Sequence, residues 1–261
     1  YETYPDWFAT VTGRRRRQIR FNNHASVPLV AEAADAFLRE NPEVRVFGLW
    51  PEDGRDFCPS DMTDIYLGDA VLGYVNAVVE RLAPAHPGVQ FDHLAYIGYR
   101  SPTQNTRPEP EVVVSYCHYW DRTQTHPVSD HRFGVKAQTP PAAAQARRDR
   151  QDPVNGHRDL CEDLLGWLDL DANLIVFSYY TDQNLRRHGA YHLADVIRAD
   201  MRYYRTLGLL GALDCACHLS EAPWGCQNFY AYARHLWDPD CDWDALFDGF
   251  NRALYAEAAD E

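Results

Sequence analysis

Six short apolar, strand-like runs recur along the chain at 18–22, 44–50, 91–96, 112–117, 174–180 and 209–214. Helical patterns separate most of them. Residues 26–40 carry Ser26 at a cap position, Pro28 just inside, and apolar side chains at three-to-four spacing. Residues 69–82 place Val71, Val75, Val78, Val79 and Leu82 on one face, and 190–207 repeat the pattern with Gly208 as a natural stop. Two further helices are expected at 229–237 and 243–259, separated by the turn DPDCD. Strands alternating with helices predict parallel βαβ units whose right-handed crossovers wind into either an open sheet or a barrel. Six strands are counted, whereas a complete barrel needs eight.

At 261 residues and 46% hydrophobic content the chain can bury a sizeable core, and one α/β domain over 1–261 is expected. A formal charge of −13 disfavours a nucleic-acid partner, because phosphate neutralisation needs a basic face. The one basic run, Arg14 to Arg17, follows Gly13 and is expected as a solvated turn. No apolar run approaches the roughly 20 residues of a membrane span. The opening YETYPDWFATVTG has no signal-peptide core and no initial Met, so localisation stays open.

Seven cysteines, an odd number without a dense framework, are expected to be mostly reduced and buried. Cys215, Cys217 and His218 invite a metal reading, but no second ligand pair stands at zinc-finger spacing, so CACH is assigned to packing and no metal is expected. No GxGxxG or P-loop follows a strand, and no GxSxG is present. Nucleotide cofactors and serine-hydrolase chemistry are therefore not expected, and no cofactor is assigned.

The segment VRVFGLWPEDG at 44–54 reads as a buried parallel strand that ends in an acidic turn. Such turns build active sites at strand C-termini. Trp50, Glu52 and Asp53 would lie on one rim with Tyr96, Tyr99, His118, Trp120, His126, Asp130, Tyr179, Tyr180, Asp182, Asp214, Glu221 and Trp224. Aromatic faces stack on pyranose rings, and carboxylates and imidazoles bind hydroxyls and exchange protons. Glycoside hydrolysis needs one carboxylic acid to protonate the leaving oxygen and a second carboxylate to activate water or attack. Two long loops interrupt the rhythm. One is the Pro-rich 99–110; the other is a polar insertion at 118–152 that begins with a functional part holding HPVSDHR and continues as an Ala/Arg-rich flap.

The opening YPDWFATVTGRRRRQIRFNN resembles a HPEWFAL-x-xGKR-like segment, and FGLWPEDGRDFC resembles a strand ending in an Asn/Asp-Asp-Gly turn with a nearby Cys. HPVSD resembles a His-Pro-x-x-Asp segment, and ARHLWDPDCDWDALFDGFNRALYAEAA resembles a LLWDPDxDVDxLLxDFxxxYYGxAA ending. Together these resemble a bacterial family of glycoside-hydrolase-like barrels, catalogued as a domain of unknown function and related to the α-glucuronidase and hexosaminidase barrels. The resemblance implies a (β/α) TIM-type barrel with C-terminal helices, lacking its first two βα units, in which 18–22 is the third strand and 44–50 the fourth. It implies that the chain is the C-terminal part of a longer protein, with a preceding segment or a homo-oligomer completing the barrel. Cys58 lacks the further cysteines of the family's turn, replaced by Ser60, Asp61 and Asp64, and Ala256 stands where the family has Gly.

The expected function is hydrolysis of a carbohydrate substrate, with non-catalytic sugar binding or a scaffold role as the alternative. The resemblance implies a general acid at the end of the fourth strand, Asp53 or Glu52, while Asp182 is the favoured second carboxylate and Asp130 the runner-up. Trp50, Tyr99, His118, His126, Asp130, Tyr180, Asp214 and Trp224 are the expected substrate contacts.

Overall fold

In the computed structural model of the protein the described residues are 3–11, 13–53, 57, 66–117, 126–129, 157–181, 192–215 and 223–260. The chain opens with a hairpin in which β1 (Phe8–Val11) pairs antiparallel with β2 (Arg14–Ile19). Between them Gly13 takes φ 73°, a left-handed conformation that glycine enters without a Cβ penalty. The arginine run expected as a turn is thus strand: Arg14 and Arg17 face solvent, and Gln18 turns inward at 3% exposure.

Five strands form a separate, wholly parallel sheet: β3 (Val46–Gly48), β4 (Gln90–Ala95), β5 (Val112–Cys117), β6 (Asn173–Ser178) and β7 (Gly211–Asp214). Their spatial order follows the chain, β3-β4-β5-β6-β7, and the sheet curves as a half-barrel. The expected TIM-type barrel is corrected accordingly. Closure requires every strand to pair on both sides, and among the described residues β3 and β7 each pair with one neighbour. Nor is 18–22 a third barrel strand, because β2 ends at Ile19 and belongs to the antiparallel hairpin.

Among the described residues the α-helices are α1 (Val27–Glu40), α2 (Leu67–Leu82), α3 (His157–Leu168), α4 (Ala194–Thr206), α5 (Pro223–Trp237) and α6 (Trp243–Tyr255). Helix α1 begins with Pro28 in its first turn and buries Val27, Ala31, Ala34 and Leu38, one stripe at three-to-four spacing. Helix α2 buries all five residues assigned to its inner face. Helix α4 buries Ala194, Ile197, Asp200, Met201 and Tyr204, and stops before Gly208 at φ 74°. Helix α3 has no counterpart in the sequence reading, although Leu160, Cys161, Leu164 and Trp167 are all fully buried.

Strand alternation divides the sheet into two faces. Phe91, Ala95, Val112, Val114, Tyr116, Leu174 and Val176 pack with the helices in the main core. The opposite, concave face carries Asp92, Leu94, Ser115, Cys117, Phe177 and Tyr179. There Leu94, Cys117 and Tyr179 form a small second cluster, joined by Tyr96, Phe177 and Cys215.

Between β4 and β5 the Pro-rich loop is held by helix α2. The buried carboxylate of Asp69 accepts the backbone N–H groups of Gln104, Asn105 and Thr106 at 3.3, 2.8 and 2.8 Å. Asn76 brackets the same loop, donating to the carbonyl of Arg107 and accepting from the N–H of Glu109.

Candidate functional site

The C-terminal edge of the parallel sheet is where strand ends and loops converge, as in other parallel α/β proteins. Trp50 follows β3 by two residues. Its indole is 45% exposed, donates Nε1–H to Oδ2 of Asp92 at 3.0 Å, and stacks on Phe177 with centroids 6.0 Å apart and planes 29° apart. It thereby reaches across from β3 to β6 over the concave face. Phe177 in turn lies 5.2 Å from the ring of Tyr179, whose hydroxyl is 3.3 Å from Sγ of Cys117. The result is an aromatic lining beside an exposed acidic turn.

Glu52 and Asp53, the acids of that turn, are both exposed. Gln18 fixes the backbone of Glu52 in both directions: its Nε2 donates to the Glu52 carbonyl at 2.9 Å, and its Oε1 accepts the Glu52 N–H at 3.0 Å. Arg17 lies 3.7 Å from the Glu52 carboxylate, but both side chains are largely in water, so the pair contributes little.

Asp92, absent from the sequence reading, is the buried acid of this face. It is 5% exposed; Trp50 satisfies Oδ2, whereas Oδ1 has no hydrogen-bond partner among the described residues. Burial pushes its carboxyl above the ordinary aspartate range, with Ser115 and Trp50 pulling the other way. A signal was available: Asp92 and His93 interrupt an otherwise apolar strand. His93 faces the helix layer, fully buried, and desolvation pushes its imidazole down to about 3.

The remaining expected contacts are spread over several places. Tyr99 is 2% exposed and packs edge-on to Phe57 with centroids 5.4 Å apart, so its ring lies in the core and not on the rim. Burial raises its hydroxyl well above the usual tyrosine range. Tyr180 also points inward: its fully buried hydroxyl donates to Oδ2 of Asp200 at 2.5 Å. Asp214 ends β7 and is occupied by the β6 turn. It accepts Ser178 Oγ–H at 2.6 Å, the N–H groups of Tyr180 and Thr181 at 2.8 and 3.0 Å, and the Thr181 hydroxyl. Those donors make Asp214 the clamp between the ends of β6 and β7.

His126 is half-buried in the described segment 126–129. His118, Asp130 and Asp182 lie outside the described residues, as does the side chain of Trp224, the second residue of α5. The structure therefore joins Trp50 to the concave face and sets Glu52 and Asp53 next to it, and it links Tyr180 to Asp214 through the β6 turn. Among the described residues no group of three His, Cys, Asp or Glu side chains could hold a metal. A concavity of ≈ 530 Å³ between β2, α1, α2 and β3 is lined largely by apolar side chains, including Phe8, Phe37 and Phe47, and extends to Trp50 and Glu52.

A protein family described as a domain of unknown function, DUF4838, matches residues 1–261. The chain belongs to this family. No curated protein and no solved structure matches it. Two buried aspartates of this DUF4838 chain, Asp92 on the concave face and Asp200 in the helix layer, are the groups that sequence reasoning missed. Asp200 also left a trace, as an acid on the otherwise apolar stripe of α4.

Proposed function

We propose that the protein binds carbohydrate along the aromatic concave face and hydrolyses a glycosidic bond at the C-terminal edge of its parallel sheet. The observation that carries this reading is the Trp50 platform: a half-exposed indole held by a buried carboxylate, beside two exposed acids. An indole face stacks on the C–H face of a pyranose, and Trp has the largest such surface among side chains. Fixing Nε1–H on Asp92 limits ring rotation before a ligand arrives, which lowers the ordering cost of binding. The resemblance of the opening, turn and closing segments to glycoside-hydrolase-like proteins also supports the reading.

In this reaction Asp53 or Glu52 protonates the leaving oxygen, and Asp182, four residues beyond the end of β6 in sequence, supplies the second carboxylate. His118, His126, Asp130 and Trp224 are further substrate contacts. Tyr99, Tyr180 and Asp214 serve as framework, because their polar groups or rings are engaged inside the protein. A second reading, sugar binding without turnover, is favoured by that same engagement. Asp214 is saturated by donors and Asp92 is committed to Trp50, which leaves the edge chemistry to Glu52, Asp53 and the acids of other loops.

A panel of aryl-glycosides and oligosaccharides tests both readings. Turnover that is lost in Asp53→Asn or Glu52→Gln and in Asp182→Asn, with sugar binding retained, supports hydrolysis. Binding that depends on Trp50 without turnover in the native protein supports the second reading. Absence of any sugar binding, with Trp50→Ala indistinguishable from the native protein, overturns both.

A further inference from the structure

The segment His126–Ser129 is short and far in sequence from what holds it. Val128 is 2% exposed, and its backbone N–H donates to Oδ1 of Asp200 at 2.6 Å, across 72 residues. The second oxygen, Oδ2, accepts the hydroxyl of Tyr180 at 2.5 Å. Asp200 itself is 1% exposed, and the Tyr204 hydroxyl lies 3.4 Å from that of Tyr180. One carboxylate therefore joins three separate pieces of chain: the insertion after β5, the turn after β6, and helix α4.

A helix buried along an apolar stripe gains nothing from an aspartate at its centre. Such a group has to be paid for by hydrogen bonds, and here both oxygens have one. The titratable groups facing it are the Tyr180 and Tyr204 hydroxyls and the Cys161 thiol, all pushed by burial toward their neutral forms. A backbone donor from a loop is not needed to satisfy Tyr180, so the Val128 contact positions the loop.

We propose that Asp200 is a positioning residue: its buried carboxyl clamps the backbone of Val128 to helix α4 and the Tyr180 hydroxyl, and thereby fixes where the segment carrying His126 sits. The use of His126 as a sugar contact rests on the function proposed above; the clamp does not.

Amide hydrogen exchange resolved at single residues tests the clamp in the native protein. The Val128 amide is expected to exchange with the slow amides of β5, not at the rate of an open loop. Removing the acceptor of a buried N–H is worth about 10- to 100-fold in such an equilibrium. In Asp200→Ala the Val128 amide should accelerate by about that factor while amides within β5 and β6 hold their rates. Asp200→Asn, which keeps one carbonyl acceptor, should restore most of the protection. Loop-like exchange at Val128 in the native protein overturns the proposal without any variant; so does acceleration in Asp200→Ala that is equal throughout β5, β6 and Val128. The link to His126 is read separately, by sugar affinity in Asp200→Ala, His126→Ala and the double variant. Non-additive losses support it, and additive losses overturn it. If the native protein binds no sugar, the proposed function fails while the Val128 exchange result stands.

Discussion

The indole N–H of Trp50 and the carboxylate of Asp92 meet at 3.0 Å, joining the exposed turn after β3 to the buried middle of β4. The bond has two unequal ends. Trp50 can turn to water if it is lost, whereas Asp92 is buried and cannot.

Removing the carboxylate should therefore loosen the ring more than it weakens the fold. In Asp92→Ala the Trp50 N–H finds solvent, and the lost hydrogen bond is partly offset because a buried, desolvated carboxyl is also removed; the net change in stability should stay within about 2 kcal/mol. The Trp50 contribution to fluorescence, isolated by subtracting the same pair in a Trp50→Phe background, should shift to the red and become more accessible to quenchers. An unchanged Trp50 spectrum would show that Phe177 stacking alone holds the indole.

Asp200 should give the protein a specific pH signature. Burial raises its carboxyl from 3.8 to about 7, so the folded state holds a proton that the unfolded chain has already lost. The stability this supplies is full below about pH 3.8 and is lost as pH rises through about 7. The limiting slope for one proton is about 1.4 kcal/mol per pH unit. His93 and His235, buried and pushed down to about 3 and about 4, act in the opposite sense, since their stability is lost as pH falls below the ordinary histidine range. Comparison with Asp200→Asn removes these shared terms. Chemical denaturation from pH 4 to 7 should show the native protein losing ground to the variant as pH rises; a constant gap would place the Asp200 ionisation at its ordinary value.

Two helical glycines should respond oppositely to the same substitution. A Cβ at Gly73 in α2 would meet nothing within 4 Å, so Gly73→Ala should stabilise by about 0.5–1 kcal/mol through helix propensity. A Cβ at Gly166 in α3 would lie 2.7 Å from Cγ of Pro102, closer than carbon atoms pack. Gly166→Ala should cost about 1–3 kcal/mol despite the same gain in propensity. Thermal or urea unfolding measures both, and equal signs would contradict the packing.

What could be read from the sequence follows from how local each signal is. The inner face of α2, the stop at Gly208 and the apolar strands β4 and β5 depend on periodicity over a few turns, and they lie where expected. The hairpin was misread because Arg14 to Arg17 show no alternation of polar and apolar side chains, although the backbone pairs through them. Helix α3 was passed over beside the long polar insertion, yet Trp167 donates to the carbonyl of Arg100 at 2.8 Å and Asp163 pairs with the Arg100 guanidinium, contacts that no local pattern announces. Closure of a sheet is less local still, since it depends on which strand edges meet, and the barrel expectation failed there. Within the site, the exposed acids Glu52 and Asp53 were legible from their turn. Tyr99 and Tyr180 stand near strand ends, but both rings turn into the core, a direction that position along the chain does not carry.

Gln18 grips both the carbonyl and the N–H of Glu52, 34 residues along the chain. The hairpin and the acidic turn consequently behave as a single lever, with β2 as its handle and the carboxylates at its tip. A change in the arginine-rich strand would be felt as a change in how far those acids reach.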